Sequence, residues 1–125
     1  MEVPVEKIPN KPKKFSDVYG QTSFDFPGEQ IEEKTIRNKE MTIYDFALLN
    51  GAYGEFAIID AELTDSIIVG EGIDQKRVNR VQFAEGSDII GKQLKKAKED
   101  KNLPLIAKIV ERTSEKSKMT YRTLE

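Results

Sequence analysis

The sequence predicts one mainly β domain with a single amphipathic helix, in the order strand, strand, strand, helix, strand, strand. Three observations carry this expectation: alternating apolar runs on both sides of Asn50-Gly51, a helical repeat behind Ser87-Asp88, and two more strand-like runs after Pro104. A chain of 125 residues, 38% hydrophobic and 34% charged, suits one modest core under a heavily charged exterior.

Residues 1–14 hold Pro4, Pro9 and Pro12 among Lys7, Lys11, Lys13 and Lys14, which disfavours helix and interior strand and predicts an arm. Residues 15–40 add Phe15, Tyr19, Phe24 and Phe26 around Gly20, Pro27 and Gly28, an irregular cover with either a short helix or a lead-in strand near Ile31 to Ile36. The chain therefore divides into an arm and cover over 1–40 and a folded domain over 41–125.

Met41 to Leu49 reads as the first strand and Glu55 to Leu63 as its antiparallel partner across Asn50-Gly51. In the second strand Ala57, Ile59, Ala61 and Leu63 form a core row, which sends Phe56, Ile58, Asp60 and Glu62 to the other face and implies an exposed aromatic at Phe56. Tyr44 and Phe46 share one row unless a bulge at Asp45 breaks the alternation, and Phe46 is assigned to the core. Thr64 to Gln75 predicts a loop or hairpin extension. Val78 to Phe83 is the third strand, with Val81 and Phe83 on one face and Arg80 and Gln82 on the other.

Ser87 caps a helix in which Ile89, Ile90, Leu94 and Ala97 recur at helical spacing until Asn102 and Pro104 stop it. Its outer face carries Lys92, Lys95, Lys96 and Lys98, cations that also suit the macrodipole. Leu105 to Val110 and Met119 to Leu124 close the domain as a hairpin around a polar turn at Ser114 to Ser117. A helix between the third and fourth of five strands is the order of the OB-fold, a five-stranded Greek-key barrel, and residues 41–125 are long enough for one.

Absences exclude several functions. Without cysteine or histidine there are no disulfides, thiolate or imidazole metal sites, Cys/His pairs or Ser-His-Asp triads. No apolar run approaches the roughly 20 residues of a membrane span, and the N-terminus lacks a signal-peptide core, so a soluble cytoplasmic protein without membrane contact is expected. The net charge of −2 hides a split: residues 1–75 hold 7 basic and 15 acidic side chains, residues 76–122 hold 13 basic and 6 acidic. A positive surface is therefore possible on an acidic protein.

Catalysis would require carboxylates. Asp45, Asp60 and Glu62 could hold magnesium for a nuclease, but no recognisable third ligand or basic partner accompanies the Asp60 and Glu62 pair, and Gly70-Glu71-Gly72 lacks the rest of a phosphate loop. No catalytic residue, metal ligand or cofactor is assigned.

The run Lys39-Glu40-Met41-Thr42-Ile43-Tyr44-Asp45-Phe46, then Gly54-Glu55-Phe56-Ala57-Ile58-Ile59, Gln93-Leu94 and Leu103-Pro104, resembles small single-stranded DNA-binding proteins of phages infecting Gram-positive bacteria. Glu85-Gly86-Ser87 stands where that family has a serine or threonine-glycine-serine corner, while Gly70 to Lys76 is longer than usual and residues 1–40 lie outside the likeness. The resemblance implies an OB barrel that coats single strands during phage DNA replication or recombination, without strong sequence preference and without nucleotide cofactors. Its expected partners are single-stranded DNA, a second copy in a homodimer or other homo-oligomer, and replication or recombination proteins of the host cytoplasm.

Such a protein needs ring faces for bases and cations for phosphates. Tyr44, Tyr53 and Phe56 are the candidates for stacking; Lys76, Arg77, Arg80, Lys108, Arg112 and Arg122 are those for phosphate. Each has a plainer role: Phe56 in packing, Tyr53 in closing a turn, the arginines in salt bridges with Asp60, Glu62 or Glu111. The alternative function is an OB-like protein-contact or structural module that binds no nucleic acid.

Overall fold

The computed structural model of the protein describes residues 24–125. The arm expected over 1–14, together with Phe15 and Tyr19, lies outside the described residues. Among the described residues seven strands and two α-helices succeed one another: β1 (Glu29–Gln30), α1 (Glu33–Ile36), β2 (Met41–Gly51), β3 (Gly54–Val69), β4 (Lys76–Glu85), α2 (Asp88–Glu99), β5 (Leu105–Ala107), β6 (Ile109–Thr113) and β7 (Thr120–Leu124).

The hairpin read around Asn50-Gly51 is present, with Met41 to Gly51 paired antiparallel to Gly54 through Leu63. Its register shifts between Ile43 and Asp45, so the conditional bulge exists. The bulge turns Tyr44 outward while Phe46, 7% exposed, joins the core. β3 runs on to Val69 and turns through Gly70 into β4, making Thr64 to Gln75 mostly a hairpin extension. Gly70 is required there: its φ is +90°, and a Cβ would lie 2.5 Å from the Asp74 carbonyl oxygen.

Ile43, Phe46, Ala57, Ile59, Ala61, Leu63, Val81 and Phe83 from the sheet meet Ile90 and Leu94 of α2 in one core, with Ile36 of α1 in the same cluster. Ser87 caps α2 as expected, its hydroxyl accepting from the Ile90 N–H at 3.3 Å. Ile89 is turned outward and 40% exposed, because two successive helical residues cannot share a narrow apolar stripe.

The expected five-stranded closed barrel needs correction. The main sheet is mixed, in the order β1-β4-β3-β2-β5, and β6 with β7 forms a separate two-stranded ribbon. One strand-like segment links them: Leu105 to Ala107 pairs with β2, and from Lys108, which exchanges both backbone bonds with Glu125, the chain pairs with the β7 side. No ladder joins β4 to β7, so the sheet is not closed.

The physical reason lies on both sides of that seam. On the β4 edge, β1 lies parallel at Val81 and Gln82, and Gly28 comes so near that a Cβ would lie 2.5 Å from the Val81 backbone. On the β7 edge, side chains of α2 and its cap replace a strand. The Gln93 amide accepts from the Leu124 N–H at 2.9 Å and donates to its carbonyl at 3.1 Å, and the Ser87 hydroxyl donates to the Arg122 carbonyl at 3.2 Å. Arg122 then spans the seam to Glu85 at 2.6 Å and reaches Glu33 at 3.7 Å. Gln93→Ala is expected to cost about 1–3 kcal/mol in urea unfolding, because the Leu124 N–H loses its partner and the Leu124 carbonyl keeps only the Thr123 hydroxyl at 3.4 Å; a loss below about 0.3 kcal/mol would show that water replaces the amide freely.

Candidate nucleic-acid interface

The outward face of the sheet holds one row that crosses four strands. Ile106 on β5 pairs with Thr42 on β2, Thr42 with Glu62 on β3, and Glu62 with Arg80 on β4. Beside it stands Tyr44, whose hydroxyl donates to Glu62 at 3.2 Å and whose ring lies 4.3 Å beneath the Arg80 guanidinium. Arg80 makes two 2.9 Å bonds to the carboxylate of buried Asp60, which fix its plane over the ring. The Asp60 bonds raise the Arg80 pKa, with the Asp60 charge acting the same way, and the hydrogen bond to Glu62 raises that of Tyr44. Tyr44 and Arg80 are thus brought together, but as a closed unit with its charge balanced by Asp60.

From Ile106 the same side of the chain runs onto the ribbon. Cross-strand neighbours share a face, so Arg112 and Tyr121 stand side by side there, with Lys108 before them and Met119 after. This face is open to solvent at its two ends, where Ile106 is 67%, Met119 69% and Tyr121 39% exposed, while Val110 between Lys108 and Arg112 is 8% exposed. Arg112 holds the Glu125 carboxylate with two hydrogen bonds, one of 2.7 Å. Those bonds push the Glu125 carboxyl below its ordinary range, with the charges of Arg112 and Lys108 acting the same way. A depressed carboxylate pKa makes the attraction complete above the ordinary range and lost as pH falls through the lowered value. Lys108, Lys116 and Lys118 have no carboxylate within 4 Å among the described residues.

The remaining candidates scatter. Phe56 is a correction: it is 3% exposed, so the outward parity of its strand does not make it an accessible ring. Ile58, on the same face two residues on, is fully buried and Asp60 is 5% exposed, which marks the β3 outer face as covered from Phe56 to Asp60, before the exposed Glu62. Tyr53 is 75% exposed in the β2–β3 turn, at the far end of that hairpin from the Tyr44 bulge. Lys76 pairs with Glu29 at 2.5 Å, and Arg77 donates to the Ser66 hydroxyl at 2.9 Å. Arg122, expected at phosphate, is turned to the seam, where its hydrogen bonds to the 1%-exposed Glu85 side chain, together with the Glu85 charge, raise the guanidinium pKa. The plainer role assigned to the arginines thus holds for Arg80 with Asp60, one of the partners expected, and for Arg112 and Arg122 with Glu125 and Glu85 instead.

Tyr121 and Met119 are not among the sequence candidates. The signal that could have found them is the hairpin register: folding the chain between Lys116 and Ser117 sets Tyr121 opposite Arg112. Among the described residues no group of three or more acidic side chains is placed to hold a metal ion, and no helix is long and apolar enough to cross a membrane. No family model matches the sequence, and neither a curated protein nor a solved structure matches it.

Proposed function

We propose that the protein is an open OB-type barrel that binds single-stranded DNA along the outer face of the β6–β7 ribbon, coating strands exposed in phage DNA replication or recombination. The strand order supports the OB reading: a three-stranded meander, a helix, then a segment that pairs first with β2 and afterwards with β7. The observation that carries the binding reading is the Tyr121 ring beside the Arg112 guanidinium on an exposed ribbon, flanked by Lys108, Lys116 and Lys118. A ring next to cations suits unpaired polynucleotide, since every base has a face to stack and every nucleotide a charge. Glu125 occupies Arg112 in the free protein, and an incoming phosphate takes its place.

Tyr121→Ala is expected to weaken oligonucleotide binding by about 1–3 kcal/mol while the melting temperature stays unchanged. Replacing Lys108, Lys116 and Lys118 by Ala should flatten the dependence of log Kd on log salt by about 0.7 for each phosphate no longer neutralised. Fluorescence titrations with single-stranded, double-stranded and RNA oligomers at several salt concentrations measure both. Unchanged binding in both variants removes the ribbon as the interface. The rival protein-contact module draws on the exposed Ile106 and Met119, and salt-insensitive self-association with no oligonucleotide binding would favour it.

A further inference from the structure

We propose that residues 24–30 are an internal stand-in for a nucleobase, masking a hydrogen-bonding site built on Gln82 that single-stranded nucleic acid gains by displacing them. The inference rests on the DNA-binding reading above.

Gln82 lies on the outward face of β4, two residues from Arg80, where a polar side chain ordinarily meets water. It is nevertheless 5% exposed. Its carboxamide is saturated by the main chain of one short segment: Oε1 accepts from the Phe24 N–H at 2.7 Å, and Nε2 donates to the carbonyls of Phe26 at 3.2 Å and Gly28 at 3.1 Å. A glutamine amide that accepts and donates side by side is the partner suited to a base edge with an adjacent donor and acceptor, as adenine presents at N6 and N7. The segment's peptide groups supply that same pattern.

The segment is held along β4, where the Glu29 carboxylate also pairs with Lys76 at 2.5 Å. It adds a parallel ladder of only two residues to β4, and one further backbone bond joins the Ile31 N–H to the Gln82 carbonyl at 3.0 Å. The Phe24 and Phe26 ring centroids lie 5.1 Å apart, yet Phe24 remains 42% exposed. Behind the segment, Ile36 is fully buried in the core, so a displaced segment stays tethered and competes as an intramolecular ligand. Once it is displaced, the Gln82 amide lies on the same face as the Arg80 guanidinium and the Tyr44 ring.

Hydrogen exchange on the full-length protein with saturating oligo(dA) tests the displacement. Faster exchange at the Phe24 and Ile31 amides is expected; unchanged or slower exchange overturns the proposal. Gly28→Val provides the second test, because its Cβ cannot fit against the Val81 backbone and the segment must lift. This variant should bind oligo(dA) about fivefold more tightly or better, as the masked fraction falls. Adding Gln82→Ala should abolish the gain. No gain, or a gain that survives Gln82→Ala, overturns the assignment. If Gly28→Val fails to fold, Phe24→Ala with Phe26→Ala loosens the same segment, and the same two outcomes apply. Absence of oligonucleotide binding in wild type and released variants alike would sink the DNA-binding reading itself; wild-type binding that is indifferent to the segment sinks this inference alone.

Discussion

Glu85→Ala lowers the unfolding free energy by about 3 kcal/mol, the low end for a buried ion pair deprived of one member. The Glu85 side chain is 1% exposed and takes two duties at the seam, receiving Arg122 and the Ser87 N–H. Without it Arg122 keeps, among the described residues, only Glu33 at 3.7 Å, and the third of its side chain that reaches water holds the loss to that low end. Glu85→Leu combined with Arg122→Met should recover most of the loss, since two apolar groups leave no charge to solvate. Urea unfolding of the two single variants and the pair measures this as a double-mutant cycle. A single-variant loss under about 1 kcal/mol would mean that the seam is held by other interactions.

Phe56→Ala is expected to cost about 3–5 kcal/mol of stability, as for other buried aromatic truncations. For a domain of this size that lowers the melting temperature by roughly 12 °C or more. The reason is the 3% exposure of the ring and the full burial of Ile58 on the same face, both outside the main core cluster. Melting and oligonucleotide titration performed together decide the matter: a variant that melts within about 2 °C of wild type but binds DNA weakly would restore Phe56 as a stacking platform.

The strands, the helix cap and the Tyr44 bulge were legible in the sequence because each depends on local patterns: alternation, Ser87 before an apolar repeat, and the conflict between Tyr44 and Phe46. What escaped the sequence depends on pairings distant along the chain. Parity sends Phe56, Ile58 and Gln82 outward correctly, yet it is silent on whether another layer covers that face; for Gln82 the cover is Phe24 to Gly28, more than fifty residues away. The cations were legible as residue types, but their partners were not. Asp60, Glu85 and Glu125 reach Arg80, Arg122 and Arg112 only after the sheet has set its register. Tyr121 escaped because the apolar content that marks its strand says nothing of the residue facing it across the hairpin.

The carboxamide of Gln93 and the hydroxyl of Ser87 also bear on how copies of this protein meet. An unfinished ribbon border ordinarily invites a stranger's backbone and, repeated, grows fibrils. Here the helix engages the Arg122 carbonyl and both Leu124 main-chain groups, which interrupts the row that a neighbour would template on. The sheet can therefore stay unclosed without becoming adhesive at that border, and copies of the protein can stand close together without fusing through it.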